Sequence, residues 1–190
     1  MFDGSGTDHV CEITDMTNDT LMFRVVEKQE TKKLSKRNIS LAVSLVKKDN
    51  FEWIVQKGTE LGVAEFIPII SKRSEKKDVN MERATKIMIE AVEQSGRGDI
   101  PVIHEPVAFE DFISRESRGI VAFHTEGEDF SIEDISKTGD IVACVGPEGG
   151  WSESEIESFK KKGAAVVRLS SPVLRAETAA VAIATLLLLL

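Results

Sequence analysis

The sequence predicts an α/β domain with a mostly parallel sheet and helices on both faces, preceded by a short β segment. Over residues 37–190, apolar segments of strand length alternate with segments whose apolar positions follow a helical period. Such an alternation is typical of βαβ units. Ligands in these sheets bind beyond the carboxyl ends of the strands, so we expect the functional residues in the loops there.

The first 30 residues predict a β-hairpin. Apolar and polar side chains alternate from Val10 to Ile13 and from Leu21 to Val25, on either side of the turn-rich segment 15–19. Because an isolated hairpin is only marginally stable in water, we expect it to pack on another surface or to belong to a barrel.

The period then changes, and each later element carries its own signal. Asn50 is a candidate cap for the second element and Gly62 a candidate stop, while Gly96 and Pro101 end the helix that begins near Met81. The predicted elements are a strand at 39–46, a helix at 50–62, a strand at 66–70, a helix at 81–95, strands at 120–123 and 141–145, a helix at 153–162, a strand at 166–169 and a helix from about 176.

Composition indicates a globular cytoplasmic protein. Of its 190 residues, 42% are hydrophobic and 29% charged, which excludes disordered and low-complexity classes. Two cysteines and the lack of a leader pattern argue against a secreted disulfide scaffold. The apolar run 179–190 is too short to cross a bilayer, so we expect a buried terminal helix. No histidine has metal-ligand spacing, so no metal site is predicted.

The net charge of −8 is unevenly distributed along the chain. Residues 1–100 carry −1 and residues 101–190 carry −7. The stretch from Arg24 to Lys48 contains eight basic side chains and two acidic ones. That stretch could bind a polyanion or form a solvated linker, and charge alone leaves both possibilities open.

A glycine-rich segment, 146–150, lies between a predicted strand and a helix that Ser152 and Glu155 would cap as a capping box. Its three glycines allow the main chain to approach a ligand closely. The spacing is that of neither a dinucleotide fingerprint nor a P-loop, and Glu148 would repel a polyphosphate. An uncharged or cationic ligand is therefore favoured, although the segment could also serve only as a turn.

Two further clusters contain polar residues at helix ends. Arg175, Glu177 and Thr178 stand at the start of the terminal helix, where helix capping would explain them equally well. Gln94 and Arg97 close the helix at 81–95, where an arginine also compensates the helix dipole.

Together these segments resemble the RsmE family of 16S rRNA (uracil-N3) methyltransferases, which belongs to the SPOUT superfamily. The resemblance spans nearly the whole chain, and its order is more specific than any one motif. The residues that carry it are Gln56-Lys57-Gly58-Thr59-Glu60-Leu61-Gly62-Val63, Pro68, Glu90-Ala91, Glu93-Gln94-Ser95, Arg97, Gly146 to Gly150, Glu155-Ile156 and Leu174-Arg175-Ala176-Glu177-Thr178-Ala179.

This resemblance implies a fold and an assembly. It implies a SPOUT-type domain at 37–190 with a C-terminal deep trefoil knot. It also implies a partial PUA-like RNA-binding β-barrel with a basic linker at 1–36, from which some forty preceding residues are missing. The family further implies a homodimer that acts on 16S rRNA or on the assembled small ribosomal subunit.

The resemblance also implies S-adenosyl-L-methionine as the cofactor, held by three loops, and no metal. The implied cofactor-binding residues are Phe123, His124, Thr125, Val145, Gly146, Pro147, Glu148, Gly149, Gly150, Leu169, Ser170, Ser171, Val173, Leu174, Arg175 and Thr178. Arg175 is expected to stabilise charge on a uracil carbonyl, and Glu177 to accept or orient the N3 proton. The expected RNA contacts are Gln94, Arg97, Lys32, Lys33 and Arg37.

Other functions remain possible from the sequence. A knotted methyltransferase acting on a ribose 2′-hydroxyl or on tRNA would share the glycine-rich and Leu-Arg-x-Glu-Thr segments. A non-catalytic RNA-binding module would explain the short β segment. A nucleotide-binding regulator is disfavoured by Glu148 and by the lack of a phosphate motif.

Overall fold

The computed structural model describes residues 4, 6–30, 38–131, 140–169 and 172–189. The strands within these ranges are β1 (Thr7–Met16), β2 (Leu21–Glu30), β3 (Ile39–Ser44), β4 (Glu65–Ile70), β5 (Val102–Ile103), β6 (Val107–Ala108), β7 (Gly119–Asp129), β8 (Ile141–Val145) and β9 (Ala165–Arg168). The helices are α1 (Lys48–Leu61), α2 (Met81–Ser95), α3 (Phe109–Arg115), α4 (Glu153–Lys161) and α5 (Ala176–Leu189). Within these ranges, no helix combines the length and apolarity needed to cross a membrane.

The main sheet is parallel throughout the described strands. Its order is β5-β4-β3-β8-β7-β9, and β6 pairs with the end of β4. The central pair aligns Ile39 with Ile141 and Val43 with Val145, so the third and eighth strands of the chain lie side by side. The predicted α/β class with a mostly parallel sheet is confirmed.

Helices cover both faces of this sheet. On one face, alternate residues of β3 pack with α1, α2 and α5, and Ile54, Met88 and Ile183 are buried there. On the other face, Phe109 of α3 and Phe159 of α4 form the aromatic part of the second core. Every residue of β3 is buried, as expected for a central strand covered on both sides.

Local signals placed several elements correctly. The helix at 81–95 and the strand at 141–145 have the predicted bounds, and Asn80 caps α2 by accepting a hydrogen bond from the Arg83 amide. Helix α1 ends at Gly62 as predicted, but the expected cap at Asn50 is wrong. The helix begins earlier, at Lys48, with Lys47 as the residue that precedes its first turn, which places Asn50 inside that turn.

The structure also contains elements that the sequence did not predict. Helix α3 and strands β5 and β6 are too short to show a period. Strand β7 continues to Asp129 instead of ending at Phe123, and its second half pairs with β9 after a register shift. Gly127 permits this pairing, since a Cβ there would lie 2.5 Å from the main-chain carbonyl carbon of Val167.

The predicted hairpin is present as β1 and β2, joined by a turn in which the Thr17 amide donates to the Thr20 oxygen at 2.8 Å. Its apolar side chains stay largely in contact with solvent, and Ile13 and Met16 are 61% and 71% exposed. The Gly6 amide donates to the Gly98 oxygen at 2.9 Å, which joins the start of the hairpin to the α/β unit.

An ion-pair network joins β3 and β4 at their amino ends to the loop before β7. Arg118 donates to both oxygens of Glu116, from Nε at 2.9 Å and from Nη2 at 2.7 Å. It also donates from Nη1 to Glu65 at 2.6 Å and to Ser40 at 2.8 Å. The hydrogen bonds from Arg118 lower the pKa of Glu116 to about 2. The loop before β7 is thereby fixed to the first residues of β3 and β4.

Candidate active site

A cavity of about 1210 Å³ lies beyond the carboxyl ends of the central strands. This is the edge at which parallel α/β sheets bind their ligands. Its lining residues come from the second half of β7, the ends of β8 and β9, the loops after β3, β4, β8 and β9, and the first turns of α1 and α5: Lys47, Asn50, Arg73, Phe123, His124, Thr125, Glu126, Asp129, Val145, Gly146, Pro147, Glu148, Gly149, Gly150, Trp151, Arg168, Leu169, Pro172, Val173, Leu174, Arg175, Ala176, Glu177, Ala179 and Ile183.

The glycine-rich loop 146–150 follows β8, leads to α4 and lines the cavity. A tight turn closes it, in which the Gly150 amide donates to the Pro147 oxygen at 2.8 Å. Gly150 has a φ of 67°, which an L side chain rarely adopts. A Cβ on Gly146 would lie 3.2 Å from the Trp151 indole nitrogen. The loop therefore keeps its main chain close to the cavity and its conformation depends on glycine.

Trp151 anchors this loop in the core. Its side chain is 2% exposed and contacts the rings of Phe109 and Phe159. Its indole nitrogen donates to the Phe123 oxygen at 3.2 Å. A buried hydrogen bond thus joins the loop after β8 to the middle of β7.

The predicted capping box begins α4 and binds a neighbouring loop. The Ser152 side chain accepts from the Glu155 amide, and the buried Glu155 carboxylate accepts from the Ser152 amide at 2.7 Å. The second Glu155 oxygen accepts from the Lys72 amide at 2.8 Å. Arg73 donates from Nη1 to the Gly149 oxygen at 2.7 Å. The loop after β4 is therefore fixed against the glycine-rich loop.

The first residues of α1 and α5 meet at the cavity. Asn50 Nδ2 donates to Glu177 Oε2 at 3.3 Å. The Lys47 amide donates to Glu148 Oε1 at 3.4 Å. Two carboxylates thus lie at the amino end of α1, where the helix dipole favours negative charge.

The lining carries both signs of charge, which suits a zwitterionic ligand with exposed polar edges. Four carboxylates line the cavity, and so do four cationic side chains, of which Arg168 is paired with Asp129 at 2.8 Å. The carboxylates are those of Glu126, Asp129, Glu148 and Glu177, and the cations are Lys47, Arg73, Arg168 and Arg175. The glycine-rich main chain offers amides and carbonyls for a flat heterocycle, while Val145, Leu169 and Ile183 supply apolar surface. In the described part of the chain, no cluster of His, Cys, Asp and Glu could hold a metal ion.

Comparisons with known proteins match this architecture. A family described as RNA methyltransferase domain matches residues 32–188. The ribosomal RNA small subunit methyltransferase E of Rickettsia conorii is 35% identical over 186 residues, which cover 95% of this chain and 76% of that protein.

The chain belongs to the ribosomal RNA small subunit methyltransferase E family.

Solved structures agree with this membership in the RsmE family. The ribosomal RNA small subunit methyltransferase E of Neisseria gonorrhoeae, bound to S-adenosyl methionine, superposes with a TM-score of 0.89 at 30% identity. The alignment covers 97% of this chain and 79% of that one. The SpoU methyltransferase AviRb of Streptomyces viridochromogenes shares the fold, with a TM-score of 0.53 at 14% identity over 82% of this chain and 61% of that one.

The structure brings most of the predicted RsmE cofactor residues together. Thirteen of them line the cavity: Phe123, His124, Thr125, Val145, Gly146, Pro147, Glu148, Gly149, Gly150, Leu169, Val173, Leu174 and Arg175. Glu177 lines it too, whereas Thr178 does not. Ser170, Ser171, Lys32, Lys33 and Arg37 lie outside the described residues.

The expected RNA contacts on α2 lie elsewhere. Gln94 is exposed on the helix but does not line the cavity. Arg97 is 6% exposed; its Nη1 donates to the Val63 oxygen at 2.7 Å, and its Nε and Nη2 donate to both oxygens of Asp99 at 2.7 Å. These hydrogen bonds hold the pKa of Asp99 below its usual range. The geometry therefore favours a structural role for Arg97 over the predicted RNA contact.

Sequence reasoning missed the cavity residues that follow β3 and β4. Lys47, Asn50 and Arg73 were not assigned to the site, and Trp151 was not recognised as its anchor. A signal was available, because all parallel strands end at one edge of the sheet. The loops after the first two strands of that sheet could have been included on that ground.

Proposed function

We infer that this chain is an S-adenosylmethionine-dependent methyltransferase of small-subunit rRNA, and we propose N3 of a uridine in 16S rRNA as the atom that it methylates. The observation that carries the proposal is the convergence of three predicted loops on one cavity beyond β7, β8 and β9. The N3 target rests on the RsmE resemblance. An rRNA substrate is consistent with the cytoplasmic location that the sequence predicts.

The donor supplies a methyl group on a cationic sulfur. We assign its binding to the thirteen predicted lining residues, and the cavity carboxylates support that assignment because they lower the energy of a nearby positive charge. The main chain of the glycine-rich loop offers hydrogen-bonding groups to a heterocycle without side chains in the way. Trp151 and Arg73 contribute indirectly by holding that loop in place.

Arg175 is the proposed electrostatic catalyst. It lines the cavity at the start of α5, beside the loops assigned to the donor. When N3 of uracil loses its proton, negative charge is shared with the flanking carbonyl oxygens. A guanidinium at that position stabilises this charge, as preorganised donors do in other enzymes.

Glu177 is the proposed proton acceptor for N3. It lies in the first turn of α5 and lines the same cavity as Arg175, which directly precedes that helix. Asn50 donates a hydrogen bond of 3.3 Å to Oε2 of Glu177. Asn50 makes no such hydrogen bond to the other oxygen of this carboxylate. Asn50 is therefore a positioning residue for the carboxylate.

The remaining expectations stay proposals about assembly. We propose domains at 1–36 and 37–190, with the hairpin as part of a PUA-like RNA-binding β domain whose linker residues Lys32, Lys33 and Arg37 contact rRNA. Gln94, exposed on α2, stays a candidate RNA contact. We also propose a homodimer and a C-terminal trefoil knot. The RsmE resemblance supports both; light scattering tests the dimer, and chain tracing in a crystal structure tests the knot.

Calorimetric titration with S-adenosyl-L-methionine, with ATP as the control, tests the cavity directly. Selective binding of one molecule per subunit is expected. A methyl-transfer assay on undermodified small ribosomal subunits, followed by mass spectrometry of the rRNA nucleosides, tests the target. Methyl transfer to a ribose hydroxyl would show that the target is the ribose 2′-oxygen and not N3. If the chain binds S-adenosyl-L-methionine but transfers no methyl group to any subunit RNA, the proposed reaction is contradicted.

A further inference from the structure

We propose that the loops after β3 and β4 bind the RNA strand that enters the cavity. The exposed residues of this surface, here called the basic rim, are Lys47, Lys48, Lys72, Arg73, Lys76 and Lys77. The inference rests on the proposed function, since it assigns the RNA of that reaction to one side of the site. Lys47 and Lys48 belong to the basic stretch that the sequence offered for a polyanion, whereas the basic residues of the loop after β4 were not among the RNA contacts expected from the sequence.

The charge of the basic rim stands out against the rest of the chain. Residues 72–78 contain four basic side chains and only two acidic ones, Glu75 and Asp78. The segment is therefore positively charged, although the net charge of the protein is −8. RNA phosphates require lysine and arginine, and a local positive surface can supply them in an acidic protein. Nζ of Lys48 lies 3.8 Å from Oε1 of Glu52, so the charge of Lys48 is partly balanced within α1.

Two cations of the basic rim line the cavity. Strands β3 and β4 lie on one side of β8, whereas β7 and β9 lie on the other. The loops of the first side contribute Lys47 and Arg73 to the cavity lining. The rest of the lining carries both signs of charge, since β7 contributes Glu126 and Asp129 and β9 contributes Arg168. The rim outside the cavity is therefore the basic surface that attracts a polyanion.

Hydrogen bonds order the first part of the loop after β4, at 71–74. The Ser74 amide donates to the Ser71 oxygen at 3.1 Å, and the Ser71 amide donates to Ser74 Oγ at 3.0 Å. Lys72 is held through its amide by Glu155 and through Nζ by Ser154. A surface that is already ordered loses little conformational entropy when it binds.

Arg73 links the rim to the cavity. Its hydrogen bonds within the described part of the chain run through Nη1, to the oxygens of Gly149 and Trp151. Nε and Nη2 have no partner there, and these two donors form the fork that binds a phosphate. Lys76 follows three residues later, within about 10 Å of extended chain. A strand held along the rim can therefore place one base in the cavity.

The test compares two pairs of lysines that change the net charge equally. The rim pair is Lys76→Gln with Lys77→Gln, and the control pair is Lys160→Gln with Lys161→Gln at the far end of α4. Filter binding measures the affinity for undermodified small ribosomal subunits between 50 and 300 mM KCl. Calorimetry measures the affinity for S-adenosyl-L-methionine. Both lysines of the rim pair are exposed, so their substitution is not expected to unfold the protein, and neither lines the cavity.

The rim pair should weaken RNA binding about tenfold and reduce the slope of log affinity against log salt by roughly 1.4–1.8, the value for two phosphate contacts. The affinity for S-adenosyl-L-methionine should stay within about twofold of the original. The control pair should change neither quantity. An unchanged slope in the rim pair, or the same loss in both pairs, would overturn the inference while leaving the proposed function intact.

A failure of the proposed function can also be distinguished from a failure of the inference. Rim-dependent RNA binding without any methyl transfer would contradict the proposed function and support the inference. If the unaltered chain binds no subunit RNA at any of these salt concentrations, the inference is wrong.

Discussion

The Trp151 indole nitrogen donates a hydrogen bond to the Phe123 main-chain oxygen at 3.2 Å, inside the core. This contact joins the middle of β7 to the residue that follows the glycine-rich loop after β8. Both segments line the cavity, so the side-chain hydrogen bond adds to the pairing of β7 with β8 in holding them together.

Replacing that donor should disturb stability and cofactor binding together. Trp151→Phe keeps an aromatic ring but leaves the Phe123 oxygen without its donor, which is expected to cost about 1–3 kcal/mol of unfolding free energy. The affinity for S-adenosyl-L-methionine should fall as well. Urea denaturation and calorimetry measure the two effects. Trp53→Phe on α1, where the ring is 40% exposed, is the matched control and should change both little.

Arg175 should matter for turnover more than for donor binding. Arg175→Ala is expected to lower kcat by about 10²–10³-fold, as the loss of an oxyanion donor does elsewhere. Arg175→Lys keeps the charge and should recover part of this loss. Single-turnover methyl transfer at saturating donor provides the measurement. Full activity in the alanine variant would show that Arg175 has no role in the reaction.

Glu177 and Asn50 should act as a pair. Glu177→Gln removes the proposed proton acceptor and should reduce kcat by about 10²-fold or more. Asn50→Ala should reduce kcat less, and it should have little further effect in the Glu177→Gln background. Asp49→Ala in the same helical turn is the control, since Asp49 does not line the cavity. Additive losses in the double variant would contradict the coupling.

Arg97 should behave as a structural residue. Arg97→Lys breaks the paired contact with Asp99 and one contact to the α1 end, so unfolding should become easier by roughly 2–3 kcal/mol. Arg83→Lys, at an exposed ion pair on α2, the helix that precedes Arg97, should cost well under about 1 kcal/mol. Denaturant titration compares the two. RNA affinity of the folded Arg97→Lys protein should be unchanged, and a selective loss of RNA affinity would support the contact expected from the sequence.

Acid stability should depend on the pair of Glu116 and Arg118. The folded pKa of Glu116 is about 2, below its ordinary value of 4.5. The pair therefore contributes stability above about pH 4.5, and that contribution is lost as pH falls toward 2. Glu116→Gln should lower stability at pH 7 by about 1–2 kcal/mol, with allowance for partial solvent exposure, and the difference should shrink below pH 4.5. Glu157→Gln, at an exposed pair, should show no such trend.

Much of the fold could be predicted because its signals are local. Asn80 and Gly96 mark the ends of α2, and Ser152 with Glu155 marks the start of α4; each works through main-chain groups within one helical turn. Helix α3 has only seven residues, which is too few to display a period. The extension of β7 depends on Gly127 approaching β9, a contact that exists only in three dimensions.

The candidate site was predictable where motifs mark it and unpredictable where neighbouring strands complete it. The glycine-rich loop and Arg175 could be selected from sequence because glycine and a helix-start arginine next to a strand are unusual. Arg73 has no such mark, since it stands in an ordinary basic loop. Arg97 shows the converse: an arginine after a helix has the same local pattern whether it is buried or exposed.

The pairing of β3 with β8 has a consequence for how the chain is made. The two strands are about a hundred residues apart along the chain, yet they align directly at the centre of the sheet. During synthesis, β3, whose residues are all buried in the finished fold, leaves the ribosome long before its partner exists, and contacts of such high sequence separation form slowly. The nascent first half therefore presents an open strand edge to other chains, so slow translation or high expression should favour aggregation and increase the need for chaperones.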